Sequence, residues 1–193
     1  MAAGRFSRTE LLAFHGATVD DLLGPDVRLL FVGINPGLWT AAANAHFARP
    51  GNRFWPALHA AGITSAVVDA SAGMPPWARD ELDAAGIGIS NIVQVATARA
   101  DELTRDELRA GGERLVALVE QVRPRVVAVL GLTAFRQAFA RPATTVGRQP
   151  HDLAGAELWV LPNPSGLNAH ETIASLAFAY REAAVAAGVV PAG

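Results

Sequence analysis

The chain has 193 residues, of which 51% are hydrophobic and 18% charged, and its formal net charge is −2. This length and composition predict one folded domain with a single core and argue against a disordered chain. The absence of cysteine excludes disulfides, zinc ribbons, iron–sulfur clusters and thiol nucleophiles. All 16 basic residues are arginine, which excludes a Walker-type phosphate lysine and a lysine Schiff base. A chain with this charge can bind nucleic acid only through a local patch.

No segment has the pattern of a targeting sequence or of a membrane span. The first residues, MAAGRFSRTELL, are polar and interrupted by charge. The longest apolar stretches, such as Val126–Leu132, are far shorter than the roughly 20 residues that cross a bilayer. We therefore expect a cytoplasmic protein with no membrane partner.

Apolar runs alternate with helical patterns along the chain. Continuous apolar runs predict four strands, at Val27–Val32, Ile87–Val95, Arg125–Leu130 and Leu158–Leu161. Helical patterns predict four helices, at Arg53–Ala61, Thr104–Val122, Thr133–Phe139 and about Glu171–Ala187. Thr104 and Glu107 form a capping box, and we expect Asn168 to cap the last helix. This alternation predicts an α/β domain with a mainly parallel sheet and helices on both faces.

The first candidate site follows the first strand and reads Gly33-Ile34-Asn35-Pro36-Gly37. Asn, Pro and Gly are common turn residues, so a simple tight turn is one interpretation. The two common phosphate-binding loop patterns, GxGxxG and GxxxxGK[ST], are both absent. Ligands of parallel α/β sheets bind at the carboxyl ends of the strands, where this loop opens.

The continuation HFARPGNRFW (His46–Trp55) interleaves aromatic residues with arginine, a pattern that can stack a base and hold phosphates. Phe54 and Trp55 are expected in the core, whereas Phe47 is the better stacking candidate. His46 could donate to a phosphate or a base edge, or be a solvated loop residue.

The second candidate site, LPNPSGLN (Leu161–Asn168), follows the fourth predicted strand and is stiffened by proline. Leu167 is either buried under the last helix or a wedge that enters a base stack. Ser165 lacks the GxSxG context of a serine hydrolase. The five histidines show no metal-ligand spacing, so we expect no metal site.

Taken together, GINPG, FARPGNRFW and LPNPSGL resemble the mismatch-specific uracil/thymine-DNA glycosylases of the uracil-DNA glycosylase superfamily. The resemblance runs from about residue 27 to 180, leaving 1–26 as an N-terminal extension of a single domain, 1–193. It implies a three-layer α/β/α fold with a short, mainly parallel sheet of four to five strands. It also implies hydrolysis, without a cofactor, of the N-glycosidic bond of uracil or thymine opposite guanine in duplex DNA.

The resemblance also assigns roles within the base pocket. It implies that Asn35 positions the attacking water, that Phe47 stacks on the flipped base, and that Asn163 lies close to the sugar–phosphate of the target. Ile34 and Gly37 belong to the turn that reads the pyrimidine. Asn35 stands where the faster, uracil-specific members of the superfamily carry aspartate, and Asn163 stands where they carry histidine. This difference favours the mismatch-specific branch.

Further positions are predicted to bind the base or the DNA. Asn91, after the second predicted strand, could face the pocket. The resemblance implies that Gly166 and Leu167 fill the space left by the flipped base and contact the widowed guanine. The remaining DNA-binding candidates lie in the same loop or just after it: Ser165, Asn168 and His170.

The partner expected from this resemblance is double-stranded DNA with a G·U or related mismatch, bound by a monomer, nucleoid-associated in a prokaryote. Two alternatives remain open. One is a catalytically weak DNA-damage-binding protein of the same fold. The other is a nucleotide-binding α/β domain that uses GINPG as an anion-binding turn. The base range is also open among uracil, thymine, etheno-cytosine and deaminated purines.

Overall fold

The computed structural model describes residues 6–192, which form a five-stranded sheet with α-helices on both faces. The spatial strand order is β2-β1-β3-β5-β4. The strands are β1 (Leu29–Gly33), β2 (Ile87–Asn91), β3 (Val126–Leu130), β4 (Gly147–Arg148) and β5 (Glu157–Leu161). All neighbouring pairs are parallel except β4 with β5. The predicted α/β fold, with a short, mainly parallel sheet, is therefore confirmed.

Seven α-helices are present in residues 6–192. They are α1 (Arg8–Leu12), α2 (Leu38–Ala43), α3 (Phe54–Ala60), α4 (Pro76–Ala85), α5 (Arg105–Val122), α6 (Leu132–Ala138) and α7 (Ile173–Ala186). One core packs alternate strand residues against α3, α4 and α7, and a second packs the other residues of the same strands against α5 and α6. Because both faces of the sheet are covered, its central strands are apolar without interruption. None of the helices described is both long and apolar enough to cross a membrane.

Most predicted elements are present with small changes in their ends. Thr104 caps α5 with the expected capping box to Glu107. Phe54 and Trp55 are buried, as expected of core residues. The patterns missed the helices α1, α2 and α4 and the two-residue strand β4. For α4 the usual signals of a helix are present, namely Pro at the first turn and a left-handed Gly86 after its end.

The second predicted strand, Ile87–Val95, is too long, because β2 ends at Asn91. The backbone beyond it follows the loop after β1 instead of continuing a regular ladder. Ile92 N donates to Gly33 O at 2.9 Å, Val93 N to Ile34 O at 2.9 Å, and Thr97 N to Pro36 O at 3.2 Å. This irregular pairing brings Thr97 beside the first candidate loop.

The prediction that Asn168 caps the last helix is wrong. Helix α7 begins at Ile173, and its cap is Thr172, whose side chain accepts a hydrogen bond from Ser175 N. The preceding residues cannot adopt helical geometry because their carbonyls and side chains are bonded within a loop, described below. The predicted single domain with an N-terminal extension stays a prediction. In that extension Leu22 exchanges two backbone hydrogen bonds with Ile89 and so covers the free edge of β2.

We predict that Gly111→Ala destabilises the protein although alanine is the better helix former. A Cβ at Gly111, in α5, would lie 2.5 Å from the carbonyl oxygen of Ile92, just after β2. Overpacking against backbone costs about 1–3 kcal/mol, more than the roughly 1 kcal/mol gained in helix propensity. Urea unfolding measures the change. The exposed neighbour gives the control, Glu113→Ala, which should stay within about 0.5 kcal/mol. Equal or greater stability of Gly111→Ala would contradict the packing described.

Candidate active site

A cavity of about 150 Å³ opens at the carboxyl ends of the parallel strands. A cavity of about this volume can hold one benzene ring, so its size suits a single six-membered ring. All six residues predicted from the sequence for base binding and catalysis line it: Ile34, Asn35, Gly37, Phe47, Asn91 and Asn163. Residues from loops that are far apart in the sequence therefore meet at one edge of the sheet, as predicted for a ligand site.

The amide of Asn35 is held in one orientation. Its Nδ2 donates to Thr97 Oγ1 at 2.8 Å, to Val95 O at 3.0 Å and to Pro36 O at 3.2 Å. The Thr97 hydroxyl gives its own hydrogen to Arg99 O at 2.8 Å, so it can only accept from Asn35. The Asn35 Oδ1 has no donor among residues 6–192. Asn35 therefore has a free acceptor, which can orient a water molecule.

Whereas the amide of Asn35 is held by its nitrogen, that of Asn163 is held by its oxygen. Its Oδ1 accepts from Ser165 N at 2.9 Å, which forms a tight turn at the start of the second candidate loop. Its Nδ2 has no acceptor among residues 6–192, and Asn163 lines the same cavity as Asn35. The site therefore combines a free acceptor from one asparagine with a free donor from the other.

Backbone donors in the first loop are also unused. The N–H groups of Asn35 and Gly37 have no hydrogen-bond acceptor within residues 6–192, while neighbouring carbonyls of the loop accept bonds from residues 92–97. Unpaired N–H groups beside a cavity can stabilise negative charge on an oxygen atom of a ligand. This agrees with the role expected for the turn.

Phe47 and Asn91 pack over Gly33, where β1 ends. Phe47 has a left-handed backbone (φ 54°), and its ring stacks on Phe54 with centroids 3.9 Å apart. One face of Phe47 is therefore covered, and a base could stack only on the other. Asn91 is 3% exposed and lies opposite Gly33 in the β1–β2 register.

His46 is buried at 3% exposure, so it is not a solvated loop residue. Its Nε2 lies 2.9 Å from Asp20 O, and its Nδ1 lies 3.4 Å from Asn91 Nδ2. Burial lowers the pKa of His46, and the Asp20 carbonyl and the Asp21 carboxylate oppose that effect only in part. His46 lines the cavity, but the hydrogen on Nε2 is already directed at Asp20 O, so the ring is not a free donor for a phosphate.

Arg53 holds the second candidate loop in place. Its guanidinium donates to three backbone carbonyls, Ser165 O and Asn168 O (2.7 Å) in the loop and Glu171 O just after it. Its own backbone N–H donates to Pro164 O at 2.9 Å. The sequence suggested that Arg53 holds a phosphate, but these contacts give it a structural role instead. No sequence pattern signals this, because the partners are backbone atoms more than a hundred residues away.

The predicted DNA-binding residues lie on this loop or just after it. Gly166 and Leu167 line, with Ser165, a neighbouring cleft of about 260 Å³ against residues 49–52. A Cβ on Gly166 would lie 2.6 Å from Gly51 O, so only glycine lets the two loops approach. Leu167 is 79% exposed, which contradicts a buried position under α7.

The other two DNA-binding candidates, Asn168 and His170, differ in whether their side chains are already hydrogen-bonded. The Asn168 side chain is engaged within the loop, donating to Asn163 O at 3.1 Å and accepting from His170 N at 3.3 Å. The side chain of His170 is exposed beyond it. Contact of either residue with DNA stays a prediction. In residues 6–192 no three His, Asp or Glu side chains lie close enough together to bind a metal ion.

Comparison with known proteins identifies related sequences and structures. Residues 21–186 match the family model described as the uracil DNA glycosylase superfamily. The fold is similar to the solution NMR structure of a candidate uracil DNA glycosylase from Methanosarcina acetivorans, with a TM-score of 0.57 and 18% sequence identity. The match covers 86% of this chain and 96% of that one. At this identity the likeness shows the fold alone.

We predict that Arg53→Met loosens the second candidate loop. Loss of the three carbonyl contacts should increase amide hydrogen exchange across residues 165–171 by about tenfold or more, since each bond to a charged group contributes about 1.5–3 kcal/mol. Exchange measured by mass spectrometry tests this. Arg49→Met is the matched control, because Arg49 is exposed beside the same loop and donates to no carbonyl within residues 6–192. Unchanged exchange in Arg53→Met would contradict this role.

Proposed function

Because the chain belongs to the uracil DNA glycosylase superfamily, we propose that it is a monofunctional, mismatch-specific glycosylase that releases uracil opposite guanine from duplex DNA. Membership supports a uracil-DNA glycosylase activity, and DNA as the partner, in general. The preference for G·U pairs, the flipping of the base and the absence of a lyase step are the finer parts of the proposal. The monomeric state and the cytoplasmic location remain predictions with them.

The observation that carries the proposal is the ring-sized cavity with two oppositely oriented amides at its edge. A volume of about 150 Å³ suits one pyrimidine and leaves no room for a base pair. The target nucleotide must therefore leave the stack, at a cost of a few kcal/mol. A G·U wobble pair is weaker than a normal pair, which lowers that cost and favours the mismatch.

Leu167 is suited to replace the base in the stack. It is the most exposed of the large hydrophobic residues described, and its loop is held by Arg53 beside the cavity. Apolar side chains of this kind insert between base steps in other DNA-bending proteins. The loop would fill the space left by the flipped nucleotide and so slow its return.

The chemistry follows from the groups left free in the site. The bond between the sugar C1′ and the base N1 breaks, its electron pair leaves with the pyrimidine, and the sugar becomes oxocarbenium-like. The N–H groups of Asn35 and Gly37 can stabilise the anionic base oxygen. A water molecule held by Asn35 Oδ1 bonds to C1′ and releases its proton to solvent or to the departing base.

These groups also predict a slow enzyme that stops at the abasic site. An amide orients water but does not deprotonate it at neutral pH, so the roughly 10²–10⁴-fold contribution of a general base is largely missing. The chain contains no lysine, so no lysine amine can form a Schiff base with the abasic sugar.

Single-turnover incubation with an end-labelled duplex that contains one G·U pair tests the proposal. We expect strand breaks only after alkali, with less cleavage of A·U, G·T and single-stranded uracil DNA. Breaks without alkali would contradict the monofunctional assignment. Binding of the G·U duplex with no abasic sites at excess enzyme would favour the DNA-damage-binding alternative. Indifference to DNA with tight binding of a free nucleotide would favour the nucleotide-binding alternative.

We predict that Asn35→Ala reduces uracil release by at least about 10²-fold, because the attacking water loses its position. Binding of the same G·U duplex, measured by fluorescence anisotropy, should stay within about twofold, since the loop that contacts DNA is unchanged. Release at the wild-type rate would show that Asn35 does not hold the water.

We predict that Leu167→Ala slows release from the G·U duplex by about tenfold or more, because the space left by the base is no longer filled. Release from single-stranded uracil DNA should change much less, since no stacked partner strand has to be replaced. Val146→Ala, at another exposed hydrophobic residue, is the matched control and should affect neither substrate. Equal losses on both substrates would mean that Leu167 has a structural role.

A further inference from the structure

The backbone of Asn91 is fixed from outside the pocket. Arg114 of α5 donates through Nη2 to Asn91 O and to Ser90 Oγ, the latter at 3.1 Å. The Arg114 guanidinium also pairs with Asp21, with Nη1 3.3 Å from Oδ2. These bonds hold the backbone of Asn91 in place, and its side chain is buried at 3% exposure, so the orientation of its amide is decided by its immediate neighbours.

The contacts of His46 define its tautomer. A carbonyl oxygen only accepts hydrogen bonds, so the 2.9 Å contact with Asp20 O requires the hydrogen on Nε2. Burial lowers the pKa of His46, which keeps the ring neutral at neutral pH. In a neutral imidazole with hydrogen on Nε2, Nδ1 is a bare acceptor.

This tautomer in turn determines the orientation of the Asn91 amide. The Nδ1 of His46 lies 3.4 Å from Asn91 Nδ2, and an acceptor there requires the NH₂ group of the amide, not its oxygen. The Oδ1 of Asn91 then lies on the side of Gly33, in the cavity. No donor among residues 6–192 is bonded to that oxygen.

A free acceptor in the pocket discriminates between pyrimidines. Uracil and thymine carry a hydrogen on N3 and can donate to Asn91 Oδ1, whereas cytosine has a lone pair at N3 that would face the same oxygen. Flipped bases are read by hydrogen bonds to this edge. A site that pairs with a substrate N–H strongly rejects the analogue that lacks it.

We propose that His46 is a positioning residue that sets base specificity: its Nε2–H tautomer holds the Asn91 amide so that the pocket accepts a base that donates from N3 and rejects cytosine. His46 itself also lines the cavity, but both of its ring nitrogens are engaged by Asp20 O and the Asn91 amide, so its effect on specificity acts through Asn91. The inference rests on the proposed function, because it assumes that a flipped pyrimidine enters this cavity.

The test compares binding of two bases that differ at N3. The probes are duplexes with 2′-fluoro-2′-deoxyuridine or 2′-fluoro-2′-deoxycytidine, whose glycosidic bonds resist cleavage, each opposite the same abasic-site analogue. Neither base then has a pairing partner, so pairing strength does not differ. The ratio of the two dissociation constants should fall by about tenfold or more in His46→Gln, which keeps a donor toward Asp20 but loses the acceptor toward Asn91.

His59→Gln is the matched control. His59 is exposed, and its Nδ1 lies 3.0 Å from Thr64 O, away from the cavity lining. The ratio of the two dissociation constants in His59→Gln should equal that of the wild type. An unchanged ratio in His46→Gln, or the same change in both variants, would overturn the proposal.

A measurement on the wild-type protein covers the case in which His46→Gln does not fold. Nitrogen-15 NMR of the histidine rings distinguishes the two tautomers, and we expect protonated Nε2 and bare Nδ1 for His46 at neutral pH. A hydrogen on Nδ1 would overturn the proposal. Absence of uracil release by the wild-type enzyme would instead contradict the proposed function, so the two failures are distinguishable.

Discussion

The candidate site depends on the absence of a side chain at Gly33. A Cβ at this position would lie 2.5 Å from Asn91 Oδ1 and 3.2 Å from Cζ of Phe47. Both distances are shorter than normal contacts, so any other residue would displace the two side chains that face a bound base. Gly33 also pairs with Asn91 in the sheet register. The last residue of β1 therefore forms the floor of the pocket, and the loop that carries Asn35 starts directly after it.

Each functional side chain is held by a group outside the pocket, and the atom left unpaired is the one that suits the proposed chemistry. Thr97 holds the amide of Asn35, which leaves Oδ1 free. Arg53 holds the second loop by its carbonyls, so Leu167 is presented to solvent on a fixed backbone. Preorganisation of this kind matters because a displacement of about 1 Å in a catalytic group can cost 10²-fold in rate.

The parts of the molecule that were predictable from the sequence have local causes. The apolar runs of β1 and β3 and the capping box at Thr104 depend on residues within a few positions of one another. The meeting of Asn35, Asn91 and Asn163 was also predictable, because each follows a strand or ends one in a parallel sheet. Parallel strands bring such positions to the same edge without detailed knowledge of packing.

The remaining features depend on contacts that are distant in the sequence. The carbonyl partners of Arg53 come 112 to 118 residues later, and the carbonyls themselves carry no sequence signal. These contacts keep residues 165–171 out of α7, so the helix begins at Ile173 and is capped by Thr172 and not by Asn168. The burial of His46 likewise depends on Asp20 and Asn91, which lie 26 and 45 residues away.

The most direct test of the site is a crystal structure of the enzyme with a duplex that carries 2′-fluoro-2′-deoxyuridine opposite guanine. We expect the uracil ring in the cavity, with N3 within hydrogen-bond distance of Asn91 Oδ1. A water molecule should lie between Asn35 Oδ1 and the sugar C1′, and Leu167 should occupy the vacated position in the stack. A uracil that remains stacked in the duplex, or a flipped base with its C1′ remote from Asn35, would contradict the assignment of this cavity as the active site.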